Sequence, residues 1–433
     1  MLCPTHTRDL FMKKFKMFTI LTLIVSAFVL TGCYTEGDTT RNDSVYNDAL
    51  ASQNPKLDFT NINIPNPTFT SESGNIVRMD MAGILSPVTK DWLELVGTST
   101  TSSSLLRAGS LGEKAKVYVE VDGKDKFILI ELPDSTNKNS LVDLVFLVDN
   151  SGSMSEEADA VAEQIIGYAD YLSEQRSDMD FRFGCVGYGY NSDTKIYGAI
   201  NITDVNSLSS YLNRAGTYGV NRTVGYGGSY ATELQQKANS YSASGGECGV
   251  LAFRYADENF NFRSKASIFY VNFTDEPNQP GGNVAWSVDY TKDPSIWKNP
   301  YNGTIHTVFS DPDTTTICQR TQLYCNYWLD SYVERPWLMS DYSGGTIIFT
   351  DPTFTTFRAG DINPAASMRA ASNGSISLTS LPVTGAMVYS SIIRFKNTSK
   401  VPDGEHEVKI TIQTNDKSVQ GEKVFKNVTF GNK

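Results

Sequence analysis

The sequence predicts a doubly wound, mostly parallel α/β domain inserted into an all-β sandwich that is formed by the two flanks of the chain. First, the apolar run 141–148 is followed by small oxygen-bearing residues and then by a helix-like segment, as in a parallel sheet covered by helices on both faces. Second, strand-like and helix-like segments alternate through residues 139–373. Third, apolar and polar residues alternate with a period of two in both flanks, which is typical of half-buried strands.

Residues 1–32 are predicted to be a lipoprotein signal peptide. Lysines at positions 13, 14 and 16 precede an apolar segment, 17–30, that is too short to span a bilayer comfortably, and Met12 is the expected start. The segment ends in Leu30-Thr31-Gly32-Cys33, which resembles a bacterial lipobox and implies cleavage before Cys33 and lipidation of that cysteine. An uncleaved membrane anchor is the alternative. We therefore expect a lipid-anchored protein of the bacterial cell envelope, at the outer membrane or cell surface.

The flanks predict one shared β-domain. Residues 33–72 are polar with little periodicity, which predicts a tether. The flanks proper are 73–138 and 374–433, and each holds few strands for an independent core. We expect them to pair into one sandwich, with two separate small β-modules as the alternative. The predicted strands are 116–121 and 127–132, joined by Asp122-Gly123 as a hairpin, and then 386–395, 407–414 and 422–430.

Composition excludes one class of partner. The chain has 433 residues, of which 40% are hydrophobic and 20% charged, so it is long enough for more than one core. Its formal net charge is −11. Nucleic acid binding requires basic patches, so an acidic chain is not expected to bind nucleic acid.

The cysteines predict disulfides. Besides Cys3 in the leader and Cys33 at the lipobox, four cysteines remain, and an even number in an exported chain favours disulfide bonds. Cys318 and Cys325 are close in sequence and form the preferred pair, which leaves Cys185 to pair with Cys248. Zinc is the alternative, but the sequence has no Cys-x-x-Cys and no nearby pair of histidines.

The loop after the apolar run predicts a cation site. Asp149, Ser151 and Ser153 alternate, so a tight loop can turn three oxygens toward one point. Carboxylates and hydroxyls suit Mg²⁺, with Mn²⁺ or Ca²⁺ as alternatives, and three oxygens do not complete the shell. Asp275 follows a second apolar strand and is the expected further ligand. The alternative is a loop whose hydroxyls merely cap the next helix.

These residues resemble a known family. Asp149, Ser151, Ser153 and Asp275 match the metal-ion-dependent adhesion site of the von Willebrand factor A domain, over residues 139–373. The resemblance implies a Rossmann-like domain whose ion accepts a Glu or Asp carboxylate from a protein, extracellular-matrix or other surface ligand, a glycan included. Its insertion into an immunoglobulin-like sandwich is similar to the arrangement of some bacterial surface adhesins.

The sequence does not determine which residue supplies one metal ligand of the family's pattern. The family's third loop supplies a threonine to the metal, and this sequence departs from that pattern. Ser244 and Glu247 lie just before the helix that leads to Asp275, so their position favours them. Thr232 is favoured instead by its residue type, because it is a threonine. A carboxylate from Glu247 would lower the residual positive charge of the ion and weaken its attraction for an acidic ligand.

Catalytic motifs are absent from the sequence. His6 lies in the leader, His306 in an apolar strand and His406 in the C-terminal flank. No Gly-x-Ser-x-Gly elbow, phosphate-binding loop or His-Glu-x-x-His occurs. We therefore expect an adhesin-like binding protein and not an enzyme. The alternatives are a structural or assembly subunit of a surface appendage, in which the metal only stabilises the fold, and an enzyme-accessory protein.

Overall fold

The computed structural model describes most of the chain from residue 46 onward, and Tyr46–Lys433 form one compact unit. No helix within the described residues is long and apolar enough to cross a membrane. The described parts form a mixed α/β protein with three sheets, in which strands are more numerous than helices. The described ranges are 46–97, 113–131, 140–151, 155–175, 179–190, 194–212, 234, 236–243, 246–274, 276–299, 302–310, 334–335, 337–350, 381–399 and 401–430.

The N-terminal flank contributes strands to two sheets. Asp122 and Gly123 both have positive φ, 50° and 74°, as a tight hairpin turn requires, and β4 pairs with the short β5 after it. The predicted turn and a strand within 127–132 are therefore confirmed, but the predicted hairpin pairing is wrong because β6 pairs with β14 in the other sheet. The strands are β1 (Thr68–Glu72), β2 (Ile76–Met81), β3 (Glu94–Val96), β4 (Lys114–Val121), β5 (Lys124–Asp125) and β6 (Ile128–Glu131).

Strands and helices alternate in the middle of the chain, as the sequence predicts. Between β11 and β12 the chain forms a series of short 3₁₀ turns, 284–286, 288–292 and 294–296. The elements in chain order are β7 (Ser140–Asp149), α1 (Ser155–Gln175), β8 (Met179–Tyr190), β9 (Thr194–Thr203), α2 (Val205–Leu212), β10 (Ser242–Ala243), α3 (Gly249–Asn259), β11 (Ala266–Thr274), β12 (Thr304–Ser310), α4 (Leu338–Ser343) and β13 (Ile347–Thr350).

The C-terminal flank begins with a helix where the sequence predicted a strand. Pro382 lies in the first turn of α5, where its fixed φ and missing N–H are tolerated. Val383, Ala386 and Met387 follow with helical spacing and are buried against the α/β core. The predicted strand 386–395 is therefore wrong up to Val388. The elements are α5 (Pro382–Val388), β14 (Ser391–Lys396), β15 (Glu405–Thr414) and β16 (Gln420–Thr429).

The seven-stranded sheet has the order β10-β9-β8-β7-β11-β12-β13. The five strands from β8 to β13 in this order are parallel. At the other edge, β9 pairs antiparallel with β8, and β10 pairs antiparallel with β9. Residues of the central strand alternate between two cores. Phe146 and Val148 face the core of α1, whereas Val145 and Leu147 face the core of α3. Helices therefore cover both faces, and the predicted α/β class is confirmed.

The other two sheets enclose one further core. Their orders are β1-β2-β14-β6 and β16-β15-β4-β3. β14 lies between β2 and β6, and β15 lies between β4 and β16, so each sheet contains strands from both flanks. The expected pairing of the flanks is thus present in both sheets.

Part of the predicted tether belongs to this fold. Tyr46, Ile62 and Ile64 are buried, and Asn61 N donates to the Gln420 carbonyl oxygen at 2.9 Å. The tether prediction is wrong for residues 46–72, because scattered apolar residues can pack on an existing sheet edge without any periodicity. Residues 33–45 of the predicted tether lie outside the described residues.

The predicted Cys185–Cys248 disulfide is also wrong. Both cysteines are free and buried. Cys185 on β8 packs in the core of α1, whereas Cys248 precedes α3 and packs in the core on the opposite face of the sheet. An even cysteine count cannot reveal that a sheet separates two thiols. Cys33, Cys318 and Cys325 lie outside the described residues.

A buried ion pair joins three elements at the amino end of β7. Asp143 is fully buried, and its carboxylate accepts hydrogen bonds from Arg263 Nε at 2.7 Å and from Arg263 N at 2.8 Å. Arg263 Nη2 also donates to the carbonyl oxygens of Val142 and Asp180. Burial raises the pKa of Asp143, and the Arg263 charge opposes that rise. The arginine therefore compensates a carboxylate that has left water.

We expect Arg263→Ala to lower the free energy of unfolding by about 3 kcal/mol, because it leaves a buried carboxylate unpaired. Arg182→Ala is the matched control, since Arg182 is 40% exposed and lies 3.8 Å from Asp180 and 4.0 Å from Asp204. An exposed pair of this kind contributes about 1 kcal/mol or less. Urea titration measures both variants, and equal losses would contradict the role given to Arg263.

Candidate functional site

The carboxyl ends of parallel strands meet at one edge of the seven-stranded sheet, and the predicted cation loop lies there. Asp149 ends β7 and Thr274 ends β11, the neighbouring strand. Thr274 Oγ1 donates to Asp149 Oδ2 at 2.9 Å, and Ser151 N donates to Asp149 Oδ1 at 2.9 Å. Asp149 is fully buried and Ser151 nearly so. Two neutral donors thus hold both carboxylate oxygens in fixed directions.

The loop after Asp149 packs closely on strand β8. Asn150 N donates to the Tyr188 carbonyl oxygen at 2.5 Å, which extends the pairing of β7 with β8 by one residue. A Cβ atom at Gly189 would lie 2.9 Å from Asn150 C and from Ser151 N. Only glycine therefore allows the loop to approach β8 this closely.

A buried polar pair lies next to the Asp149–Thr274 contact. Tyr188 is fully buried and donates its hydroxyl proton to Asn272 Oδ1 at 2.9 Å. Asn272 is on β11, two residues before Thr274, so both side chains point to the α3 face. Burial, followed by the charge of Asp149, raises the pKa of Tyr188 well above its usual value, and hydrogen bonding with Thr274 opposes the rise. The tyrosine therefore stays protonated.

Glu247 lies in the loop before α3 and is half-buried. Its carbonyl oxygen accepts from Gln279 N at 2.8 Å, and the Gln279 side chain fills the space beside Gly246, whose φ is 129°. Burial is the main cause of a raised pKa at Tyr197, and the charges of Asp149 and Glu247 add to it. The same two charges act on Tyr188. Asp149 and Glu247 therefore belong to one electrostatic environment.

The predicted site residues are described only in part. The structure brings Asp149 and Ser151 together and places Glu247 in the adjoining loop. Within the described residues, no group of three or more His, Cys, Asp or Glu side chains is positioned to hold a metal ion. The remaining predicted ligands lie outside the described residues, namely Ser153, Thr232, Ser244 and Asp275.

Sequence reasoning missed the contributions of Thr274, Tyr188 and Asn272. The alternation of β11 could have indicated that Asn272 and Thr274 share a face, since the intervening Phe273 is apolar. The role of Tyr188 has no such signal. It depends on β8 and β11 lying on either side of β7, which a single sequence does not reveal.

The donors around Asp149 fit a hard divalent cation. Ser151 and Thr274 add hydroxyl oxygens to the Asp149 carboxylate, and no soft ligand is among these three residues. The described histidines do not contribute to this edge. Burial lowers the pKa of His306 to about 3, and its Nδ1 accepts from Thr346 N at 3.0 Å, so it is a packed strand residue. His406 stacks on Phe430 in the sandwich.

Comparisons with known proteins add no assignment. No family model matches the sequence, and no curated protein matches it. Among solved structures, the pilus adhesin SpaC from Lactobacillus rhamnosus GG, in its open conformation, is similar over 84% of this chain and 55% of its own, at 10% identity and a TM-score of 0.29. The human COPII-coat protein Sec24c is similar over 88% of this chain and 56% of its own, at 8% identity and a TM-score of 0.29. The chain spans little more than half the length of either protein.

We expect Thr274→Val to lower the free energy of unfolding by about 1–3 kcal/mol, because the buried Asp149 carboxylate loses a donor. Thr274→Ser retains the hydroxyl and should recover most of that loss. Thr411→Val is the matched control, because the Thr411 hydroxyl is buried in the sandwich and has no hydrogen-bond partner among the described residues. Denaturant titration of the three variants tests this. An equal loss in Thr411→Val and Thr274→Val would contradict it.

Proposed function

We propose that this protein is a lipid-anchored bacterial surface protein that binds a protein or glycan partner through a divalent cation at the carboxyl edge of the seven-stranded sheet. The observation that carries the proposal is the geometry of Asp149, whose buried carboxylate is oriented by Thr274 and by the Ser151 amide. The protein acts by adhesion and not by catalysis.

The chemistry of the edge supports a cation there. Asp149, Ser151 and Thr274 offer hard oxygens, directly or through water, as Mg²⁺ prefers. Ser153 and Asp275, which the motif adds, extend the same donor set. When bound, the ion would supply an open position for an oxygen of the partner.

The charge of the surrounding residues bears on the partner's chemistry. Hydroxyl ligands leave an ion strongly electrophilic, which favours a Glu or Asp carboxylate on a protein partner. Glu247, whose charge acts on the same tyrosines as that of Asp149, weakens that preference. The choice of Glu247 as the third-loop residue therefore extends the expected partners to neutral oxygen donors such as glycan hydroxyls.

We expect Mg²⁺ to stabilise the parent protein and not Asp149→Asn. A saturating ion, at about 100 times its dissociation constant, adds about 2.7 kcal/mol to the free energy of unfolding. The Asn variant keeps the shape of the side chain but removes its charge. Thermal unfolding with Mg²⁺ and with EDTA measures the effect. Asp289→Asn is the control, because the Asp289 carboxylate is exposed and lies within the 3₁₀ turn 288–292, and it should respond to Mg²⁺ like the parent.

The outcomes separate the candidate functions. No shift in the parent protein would contradict the cation site. A shift in the parent, without any Mg²⁺-dependent retention of purified matrix proteins or surface glycans on immobilised protein, would contradict adhesion and favour a structural or assembly subunit.

Cys33→Ser tests the anchor. The thiol of Cys33 is the proposed attachment point for lipid, and several acyl chains give stable anchoring where a single chain is marginal. We expect the variant to leave the membrane fraction or to remain unprocessed. Membrane fractionation and intact-mass measurement check both results. A variant that is processed and membrane-bound like the parent would rule out the lipobox.

A further inference from the structure

Three chain segments of the candidate site meet around one buried side chain, Tyr188. The segment after β7 is joined to it through the backbone, because Asp149 and Tyr188 are register partners and Asn150 N donates to the Tyr188 carbonyl oxygen. The end of β11 is joined to it through the side chain of Asn272, two residues before Thr274.

The third segment is the loop before α3. A Cβ atom at Gly249, the first residue of α3, would lie 2.9 Å from Asn272 Nδ2 and 3.1 Å from Asn272 Oδ1. Asn272 therefore packs directly between the Tyr188 hydroxyl and the start of α3, two residues after Glu247. The amide Nδ2 of Asn272 has no hydrogen-bond partner among the described residues, so the Tyr188 hydroxyl is the described group that orients this side chain.

We propose that Tyr188 is a positioning residue for the cation site: its hydroxyl orients Asn272 and thereby sets the relative positions of Asp149, Thr274 and Glu247. The proposal rests on the function proposed above. Tyr188 is fully buried, so it acts through these residues and does not contact the ion or the partner.

The physical reason is that hard cations require their oxygens within narrow limits of distance and direction. Asp149 and Thr274 come from different strands, and Glu247 comes from a loop. A small shift between these elements would leave each hydrogen bond nearly intact but would spread the oxygens apart. Groups that orient metal ligands in this way typically contribute about 10- to 100-fold in metal affinity.

Tyr188→Phe removes the hydroxyl and keeps the ring. We expect its Mg²⁺ affinity to fall by about 10- to 100-fold, measured by isothermal titration calorimetry. Tyr168→Phe is the matched control. Tyr168 is buried on the opposite face of the sheet, and its hydroxyl lies 2.6 Å from Thr384 Oγ1. The control loses the same kind of buried hydrogen bond, so we expect a similar drop in melting temperature in EDTA with unchanged Mg²⁺ affinity.

Four outcomes decide the proposal. A loss of affinity in Tyr188→Phe alone supports it. Parent-like affinity in Tyr188→Phe overturns it and leaves the cation site intact, and equal losses in Tyr188→Phe and Tyr168→Phe overturn it as a general effect of stability. A parent protein that binds no Mg²⁺ overturns the proposed function itself.

A second variant covers the case in which Tyr188→Phe does not fold. The double variant with Asn272→Leu removes both partners of the hydrogen bond, which is close to neutral for stability. It should fold and still bind Mg²⁺ about 10- to 100-fold more weakly. Parent-like affinity in the double variant would overturn the proposal.

Discussion

The burial of β7 on both faces is the constraint on which the rest of the α/β domain depends. A strand in this position keeps a carboxylate only where other elements bring donors to it, and β7 carries two. At its amino end, Asp143 is compensated by the charge of Arg263, which also binds the backbone of β7 and β8. At its carboxyl end, Asp149 is held by a hydroxyl and an amide. Because Asp143 is paired with a charged arginine, the amino end of β7 has a structural role. Because the donors to Asp149 in the described contacts are a neutral hydroxyl and an amide, the carboxyl end of β7 is suited to a cation.

The insertion of the α/β domain into the sandwich follows from where its two ends lie. The chain enters it after β6 and leaves it before β14, and these strands are hydrogen-bonded neighbours in one sheet. The insertion therefore begins and ends at adjacent points and does not interrupt the sandwich. Further contacts join the two parts. Asn66 N donates to the Ser343 carbonyl oxygen, and Lys423 Nζ donates to the Tyr342 carbonyl oxygen at 2.6 Å. Partial burial at this junction lowers the pKa of Lys423 to about 8.

Hydrophobic periodicity predicted those strands and turns whose signal lies within their own local sequence. The apolar runs of β7 and β11, the Asp122-Gly123 turn and the strands of the sandwich all carry local signals. The errors arose where another element decides the outcome. Ile62 and Ile64 bury because a sheet edge is available to them, β6 leaves its hairpin because β14 offers a partner, and Cys185 cannot reach Cys248 because a sheet lies between them. Such facts depend on strand order, which local sequence does not encode.

The same distinction applies within the candidate site. Residue type and spacing indicated Asp149 and Ser151 as candidate ligands, and the structure brings these two residues together. The residues that orient them, Thr274 and Tyr188, depend on which strands flank β7. Asp149 and Thr274 are the last residues of two adjacent buried strands, so their oxygens are held by the rigid part of the sheet. Glu247 is half-buried and lies in a loop. It therefore contributes charge near the site but is not held in place by the sheet. In the function proposed above, the strand ends determine where the cation binds, and the loop before α3 determines how strongly that cation attracts an acidic partner.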